Sequence, residues 1–380
     1  MNFLRNILLL FSASAWLSAA CARSTFRPGQ LWADTQGTAI NAHGGGVLCY
    51  NHVYYWFGEY KSESTSVALK GITCYASTDL LHWRNKGIAL AVSTKKGSDI
   101  ERGCIMERPK VVYCAKTGKF VMWFHLELKG QGYAAARAAV AVADHPEGPY
   151  TYQGSGRVNA GKYPANFSPA DIAALDTLHA DHYKTWWTPT WLKAVEQGLF
   201  LKRDLDGGQM ARDMTVFVDD NGKAYHVFSS EDNMTLHIAE LTDDYTRHTG
   251  RYVRVAPGGQ NEAPTLLKHN GKYWMITSGC TGWAPNAARL FAADSLMGAW
   301  QQYPNPCRGD KAGTTFGAQG TYVLHLTDGR KPEYIFMADI WTPEHPIDAR
   351  YVWLPIDFEN GRPYIQWRDG WQLRSTKNKK

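Results

Sequence analysis

Three acids stand in matching places along the chain: Glu107 in Glu107-Arg108-Pro109-Lys110, Asp213 in Arg212-Asp213-Met214-Thr215, and Glu262 in Asn261-Glu262-Ala263-Pro264. Each directly precedes an apolar run, and each run leads into a turn of the Gly-Lys type. A buried group of carboxylates is costly unless its members are hydrogen-bonded or partly protonated. A carboxyl that keeps its proton near neutral pH can serve as a general acid, and a neighbouring charge or a desolvated pocket is what keeps the proton there. A lone acid reads more simply as half of an ion pair, as Glu107 would with Arg108 or Lys110. Three in register favour a site.

Acids this far apart in sequence meet only if the elements carrying them converge. A phrase recurs in which an Asn/Asp/Gly turn is followed by an aromatic-rich alternating run: Tyr50-Asn51-His52-Val53-Tyr54-Tyr55-Trp56-Phe57-Gly58, Thr117-Gly118-Lys119-Phe120-Val121-Met122-Trp123-Phe124, and Asn221-Gly222-Lys223-Ala224-Tyr225-His226-Val227-Phe228. It returns as Asn270-Gly271-Lys272-Tyr273-Trp274-Met275-Ile276-Thr277 and, more weakly, as Lys331-Pro332-Glu333-Tyr334-Ile335-Phe336-Met337-Ala338. Each copy reads as a hairpin whose turn needs positive φ and whose following residues suit a buried strand. An apolar strand precedes most copies and a polar outer hairpin follows, which makes four strands per unit. The chain therefore reads as all-β, a five-bladed β-propeller spanning residues 22–380; a sandwich with irregular hairpins is the alternative. The innermost strands of a propeller face a central channel, where the starts of those strands can meet.

One interval is too long. Residues 163–209 carry Pro164-Ala165-Asn166-Phe167-Ser168-Pro169, a helical-looking stretch from Ala170 to Ala180, and Trp186-Trp187-Thr188-Pro189-Thr190-Trp191. This is a partly helical insertion between the second and third blades, which either shapes a binding site or packs its own aromatics.

Composition narrows the function. With 41 Lys+Arg against 35 Asp+Glu, and the clustered basic residues confined to the tail Arg374, Lys377, Lys379 and Lys380, nucleic acid is not an expected partner. Aromatics make up 13% of the chain, a richness that suits packed sheets and stacked sugar rings. Residues 1–21 read as an export signal: Arg5, the apolar run Ile7 to Phe11, then Ser18-Ala19-Ala20 before Cys21. Cys21 is placed for a lipid anchor, plain cleavage near Ala22 being the alternative, so the chain is expected to be periplasmic, outer-membrane-anchored or secreted. No apolar run is long enough to span a membrane. Six further cysteines could pair in an oxidising compartment, but no CxxC motif points to zinc or redox chemistry, and at least half are expected to be buried free thiols.

With these phrases in hand, the mature sequence resembles glycoside hydrolase family 43. Asn-Glu-Ala-Pro followed by Lys268-His269-Asn270-Gly271-Lys272-Tyr273 is similar to the motif around that family's general acid, which implies Glu262. Asp213, followed by Phe217-Val218-Asp219-Asp220-Asn221-Gly222, resembles the second acid that orients the first and raises its pKa. The family's usual first-blade base, an Asp, has no counterpart in Asn41-Ala42-His43-Gly44-Gly45-Gly46-Val47. The exo-β-1,3-galactanase subfamily shares this absence, and matching phrases include Ser278-Gly279-Cys280-Thr281-Gly282-Trp283-Ala284-Pro285-Asn286 and Phe316-Gly317-Ala318-Gln319. The resemblance implies that Gln319 stands in for the base, orienting the attacking water or relaying its proton as an imidic acid, and that the reaction inverts the anomeric centre. It also implies sugar contacts from Glu59 and Glu107. His43 is a further candidate contact, Trp283 and Trp341 are either aromatic platforms for a pyranose face or core residues, and Glu231 is a further acid near the same rim. The expected partner is an oligo- or polysaccharide acted on by a monomer, with no cofactor and no assigned metal. An α-L-arabinofuranosidase or another exo-glycosidase of the same fold, or a catalytically silent carbohydrate-binding propeller, are the rival readings.

Overall fold

The computed structural model describes residues 25–327 and 332–373, so the export segment, Cys21 and the basic tail lie outside the described residues. Five sheets follow one another. Blade 1 is β1 (His43–Tyr50), β2 (Val53–Glu59), β3 (Gly71–Ser77) and β4 (Arg84–Ala91); blade 2 is β5 (Ile105–Cys114), β6 (Lys119–Glu127), β7 (Arg137–Ala143) and β8 (Thr151–Gly156). Blade 3 is β9 (Met214–Val218), β10 (Ala224–Ser230), β11 (Thr235–Leu241) and β12 (His248–Val255); blade 4 is β13 (Asn261–His269), β14 (Lys272–Gly279), β15 (Arg289–Ala293) and β16 (Gln301–Tyr303). Blade 5 adds a fifth strand: β17 (Cys307–Arg308) runs parallel to β21 (Arg362–Gln366), outside β20 (Arg350–Glu359), β19 (Pro332–Ile340) and β18 (Gln319–Thr327).

The turn-and-aromatic phrases form the hairpins between first and second strands, with Asn51, Gly118, Gly222 and Gly271 at positive φ. The innermost strands β1, β5, β9, β13 and β18 each touch the next around a closed ring, so the chain is a five-bladed β-propeller. Aromatic packing seals the seam between blades 5 and 1. Phe26 bridges to Trp371 and stacks on it at 4.3 Å, and Trp56 of β2 lies 4.8 Å from Trp353 of β20.

The insertion leaves the ring after β8 and returns at the Val158–Gln209 bridge. The expected helix over 170–180 is two pieces, α1 (Pro169–Leu175), started by a Ser168–Asp171 capping box, and a single 3₁₀ turn at Ala180–His182; α2 (Pro189–Gln197) and α3 (Leu199–Arg203) follow. Leu175, Trp191, Val195, Phe200 and Leu201 pack in one core with Val112, Trp123 and Val140 of blade 2 and Met214 and Phe228 of blade 3. The insertion is thus a wedge driven between two blades, while Trp186 and Trp187 of its tryptophan run stay exposed. All six described cysteines are free thiols. No helix among the described residues is long and apolar enough to cross a membrane.

Candidate active site

Irregularities at the tops of the inner strands aim the functional side chains. The ladder register shifts between His43 and Gly46 in β1, between Glu107 and Lys110 in β5, between Glu262 and Thr265 in β13, and between Gly320 and Tyr322 in β18. Such bulges bend a strand and re-aim the residue beside them. In β5 and β13 the residue after the acid, Arg108 or Ala263, sits at φ 55° or 51° and precedes a proline. Non-glycine residues there are strained and persist only where their surroundings hold them. Glu59, Glu107, Asp213, Glu262, Gln319, Trp283 and Trp341 consequently line one cavity of about 430 Å³. A larger one of about 830 Å³ opens among the apolar middles and far ends of the same strands, where the one lining acid, Asp220, is bound to Lys268, so the proton chemistry belongs to the smaller.

Glu262 and Asp213 form the acid pair. Burial first, and the Asp213 charge second, push the Glu262 carboxyl up to about 7. Asn233 Nδ2 donates to Glu262 Oε1 at 2.7 Å. Asp213 Oδ2 accepts the Ala263 amide N–H at 3.1 Å, gripping the backbone next to the acid, and pairs with Arg108 Nη2 at 3.0 Å. Arg108, only 5% exposed, also donates to the Gly320 carbonyl at 2.9 Å and to Gln319 Oε1. The other end of that amide, Nε2, donates to Ser278 Oγ at 2.8 Å. Gln319 is therefore a dipole fixed at both ends, its oxygen turned to a guanidinium.

Close to Asp213, Tyr133 donates to Glu107 Oε1 at 2.7 Å, and His125 lies between Glu107, at 3.2 Å, and Glu127, at 2.9 Å. Burial acts against ionisation of both Glu107 and His125, but their mutual contact and the further partners outweigh it, leaving Glu107 at about 2 and His125 at about 9. His125 and Tyr133 thus favour the ionised form of this acid. Glu59 is almost wholly buried; burial raises its pKa against the pull of Lys61, whose Nζ is 2.6 Å away. A Cβ at Gly44 would come within 2.2 Å of Glu59 Oε1. The first blade thus brings a carboxylate from β2 into space that a side chain on β1 would fill. Glu107, His125 and Asp213 offer atoms close enough to share a cation, yet Tyr133, Arg108 and the Ala263 amide already engage the two carboxylates.

Trp283, 53% exposed, and Trp341 make a tilted pair with centroids 6.0 Å apart. Asn286 holds the Trp283 loop by bonding both the amide and the carbonyl of Gly279. Two expectations change here. His43 does not reach the cavity: it is fully buried, stacked behind Trp341 at 5.4 Å, and burial, then Lys61, depress it to about 3. Glu231 is likewise shut away, paired with Arg254 at 2.6 Å and His237 at 2.9 Å. The alternative reading of Glu107, an ion pair with Arg108 or Lys110, is not formed: Glu107 pairs with His125, Arg108 turns to Asp213 of the neighbouring blade, and Lys110 Nζ bonds the Gly44 carbonyl. Arg108, His125, Tyr133 and Asn233 were not foreseen as site residues; only Arg108 had a signal, its place beside Glu107 in a strand-opening phrase.

The chain is similar to several known proteins. A model of the family described as glycosyl hydrolases family 43 matches residues 178–371. A solved family 43 β-1,3-galactosidase with galactodeoxynojirimycin is 59% identical over 92% of this chain and 100% of its own, with a TM-score of 0.89. The exo-β-1,3-galactanase of Clostridium thermocellum is 35% identical, over 91% of this chain and 66% of its own, at 0.74. That of Phanerochaete chrysosporium with galactose is 32% identical, over 93% and 69%, at 0.72. A curated Aspergillus niger β-D-galactofuranosidase is 29% identical over 120 residues, 30% of this chain and 34% of that protein, so the match spans about a third of that relative.

Proposed function

The chain belongs to glycosyl hydrolases family 43, and from that premise we propose that it is an inverting exo-glycosidase releasing galactose from the ends of β-1,3-linked galactan. The observation that carries the reading is Glu262, a carboxyl pushed up to about 7 and lining a cavity of about 430 Å³ that the fixed amide of Gln319 also lines. Glu262 gives its proton to the glycosidic oxygen as the C1–O bond breaks. Asp213 keeps that proton in place beforehand and steadies Ala263, the next residue. Gln319, braced by Arg108 and Ser278, orients the water that attacks C1 from the opposite face. An amide is too weak a base to do more than guide or relay the water's proton, which an oxocarbenium-like transition state tolerates. Glu107, held ionised, and Glu59 accept sugar hydroxyls, and Trp283 and Trp341 offer faces to the pyranose. The 59% identity to a β-1,3-galactosidase supports the sugar and the linkage. The order of charged, apolar and small residues before Cys21 supports export, with a lipid anchor at Cys21 as the finer form of that reading.

The test is Glu262→Gln on β-1,3-galactobiose. Turnover should fall by about two to four orders of magnitude while galactose binding by calorimetry persists, and proton NMR of the wild-type reaction should show α-galactose first. Near-normal turnover by the variant, initial release of β-galactose, or preferential cleavage of an aryl arabinofuranoside would each overturn the proposal.

A further inference from the structure

The turn between β10 and β11 is built from three consecutive non-glycine residues in the left-handed region: Glu231, Asp232 and Asn233, at φ 54°, 55° and 63°. One such residue is strained, and three in a row need strong external fixing. Blade 3 and the insertion supply it together. Arg254 grips Glu231 with Nε and Nη2, at 2.6 and 2.8 Å, while its remaining donors take the Val195 and Glu196 carbonyls at the end of α2. Thr235 and His237 complete the coordination of Glu231, at 3.1 and 2.9 Å. Arg203 of α3 pairs with Asp232 at 2.5 Å, and Arg212 approaches it at 3.6 Å.

What this clamped turn delivers to the cavity is a single side chain. Asn233 Nδ2 donates to Glu262 Oε1 at 2.7 Å. The carbonyl oxygen of a neutral carboxyl is its better acceptor, so a fixed donor at Oε1 favours the proton on Oε2; Asp213, Arg108 and the Cys280 thiol also act on this group. As the proton leaves, negative charge grows on the carboxylate and the Asn233 bond becomes charge-assisted, hence stronger in the transition state than before it.

We propose that Asn233 is the positioning residue of the general acid, fixing the transferable proton on Glu262 Oε2 and stabilising the carboxylate left behind, and that the insertion acts on catalysis by clamping the Glu231–Asn233 turn. The inference rests on Glu262 being the general acid.

Asn233→Gly tests it with the backbone preserved, because glycine adopts positive φ without cost. On β-1,3-galactobiose, kcat should fall by about tenfold or more with KM little changed. The basic limb of the pH profile should move up by about one pH unit, since the lost bond favoured the ionised form. Asn233→Asp, which tolerates the same backbone, should move the limb further up by adding a like charge, and should recover part of its rate at low pH, where the new carboxyl regains a donor. Arg203→Ala should act in the same direction and less. A basic limb that stays put in both Asn233 variants, with the melting temperature unchanged, would overturn the positioning role. A downward move would do so as well, because it would mean that the amide accepts the proton of Glu262 rather than donating to it. An unmoved Arg203→Ala would overturn the clamp. Glu262→Gln in the same assay separates the causes: if that variant turns over normally, the general-acid reading fails, whereas an inactive Glu262→Gln beside an unmoved Asn233→Gly fails this inference alone.

Discussion

Asp213→Asn isolates one of the charges that keep Glu262 protonated. Glu262 is pushed up to about 7 by burial first and Asp213 second, against opposing pulls from Arg108, Cys280 and Asn233. The substitution leaves the cavity and the burial unchanged, and an amide oxygen can still accept from Ala263 and Arg108. It removes the like charge and leaves the Arg108 charge less offset, and both changes favour ionised Glu262. Two unit charges ~5 Å apart at an effective dielectric near ~20 interact by about 3 kcal/mol. At ~1.4 kcal/mol per unit, that is a ceiling of roughly two pH units. The expected outcome is a basic limb of kcat/KM lowered by about one to two pH units, with activity at neutral pH cut about tenfold or more and partly restored by acidifying the assay. The measurement is initial rate on β-1,3-galactobiose across the pH range. A profile that keeps its basic limb while losing amplitude would refute the electrostatic role and leave Asp213 as a sugar contact; an upward shift would refute the sign of the reasoning altogether.

Gln319→Ala should lower kcat strongly with little change in KM, because water is positioned mainly in the transition state; a rise in KM alone would make Gln319 a binding residue. Gln319→Glu should place a carboxylate against Arg108, raise the Glu262 pKa and move the pH optimum upward, with or without recovered turnover. Glu231→Gln leaves Arg254 buried without its counter-charge, at a cost of about 3–5 kcal/mol, and thermal melting should drop by roughly 5–10 °C; an unchanged melting temperature would deny that this pair holds the insertion to blade 3.

The blades were legible because their information is local. Asn-Gly-Lys and its relatives supply positive φ within a tight turn, and alternating aromatic and β-branched residues commit the following segment to a buried strand; neither needs distant partners. The acids were legible for a related reason, since Glu-Arg-Pro and Glu-Ala-Pro mark the bulged starts of inner strands. Period-two patterning, however, says only that a side chain points to one face, and a bulge moves even that. Whether His43 meets the cavity or the back of Trp341, whether Glu231 faces sugar or Arg254, and whether Arg108 serves Glu107 beside it or Asp213 of the next blade depend on what closure of the ring brings together. Gln319 and Arg108 meet over a sequence separation of 211 residues, and Asn233 reaches Glu262 from a turn its own residues disfavour, held by Arg254, Thr235 and His237 of blade 3 and by Arg203 of the insertion. The acids and the scaffold are thus written in short segments, while their protonation states, partners and shielding arise when five separate strand ends share one desolvated space.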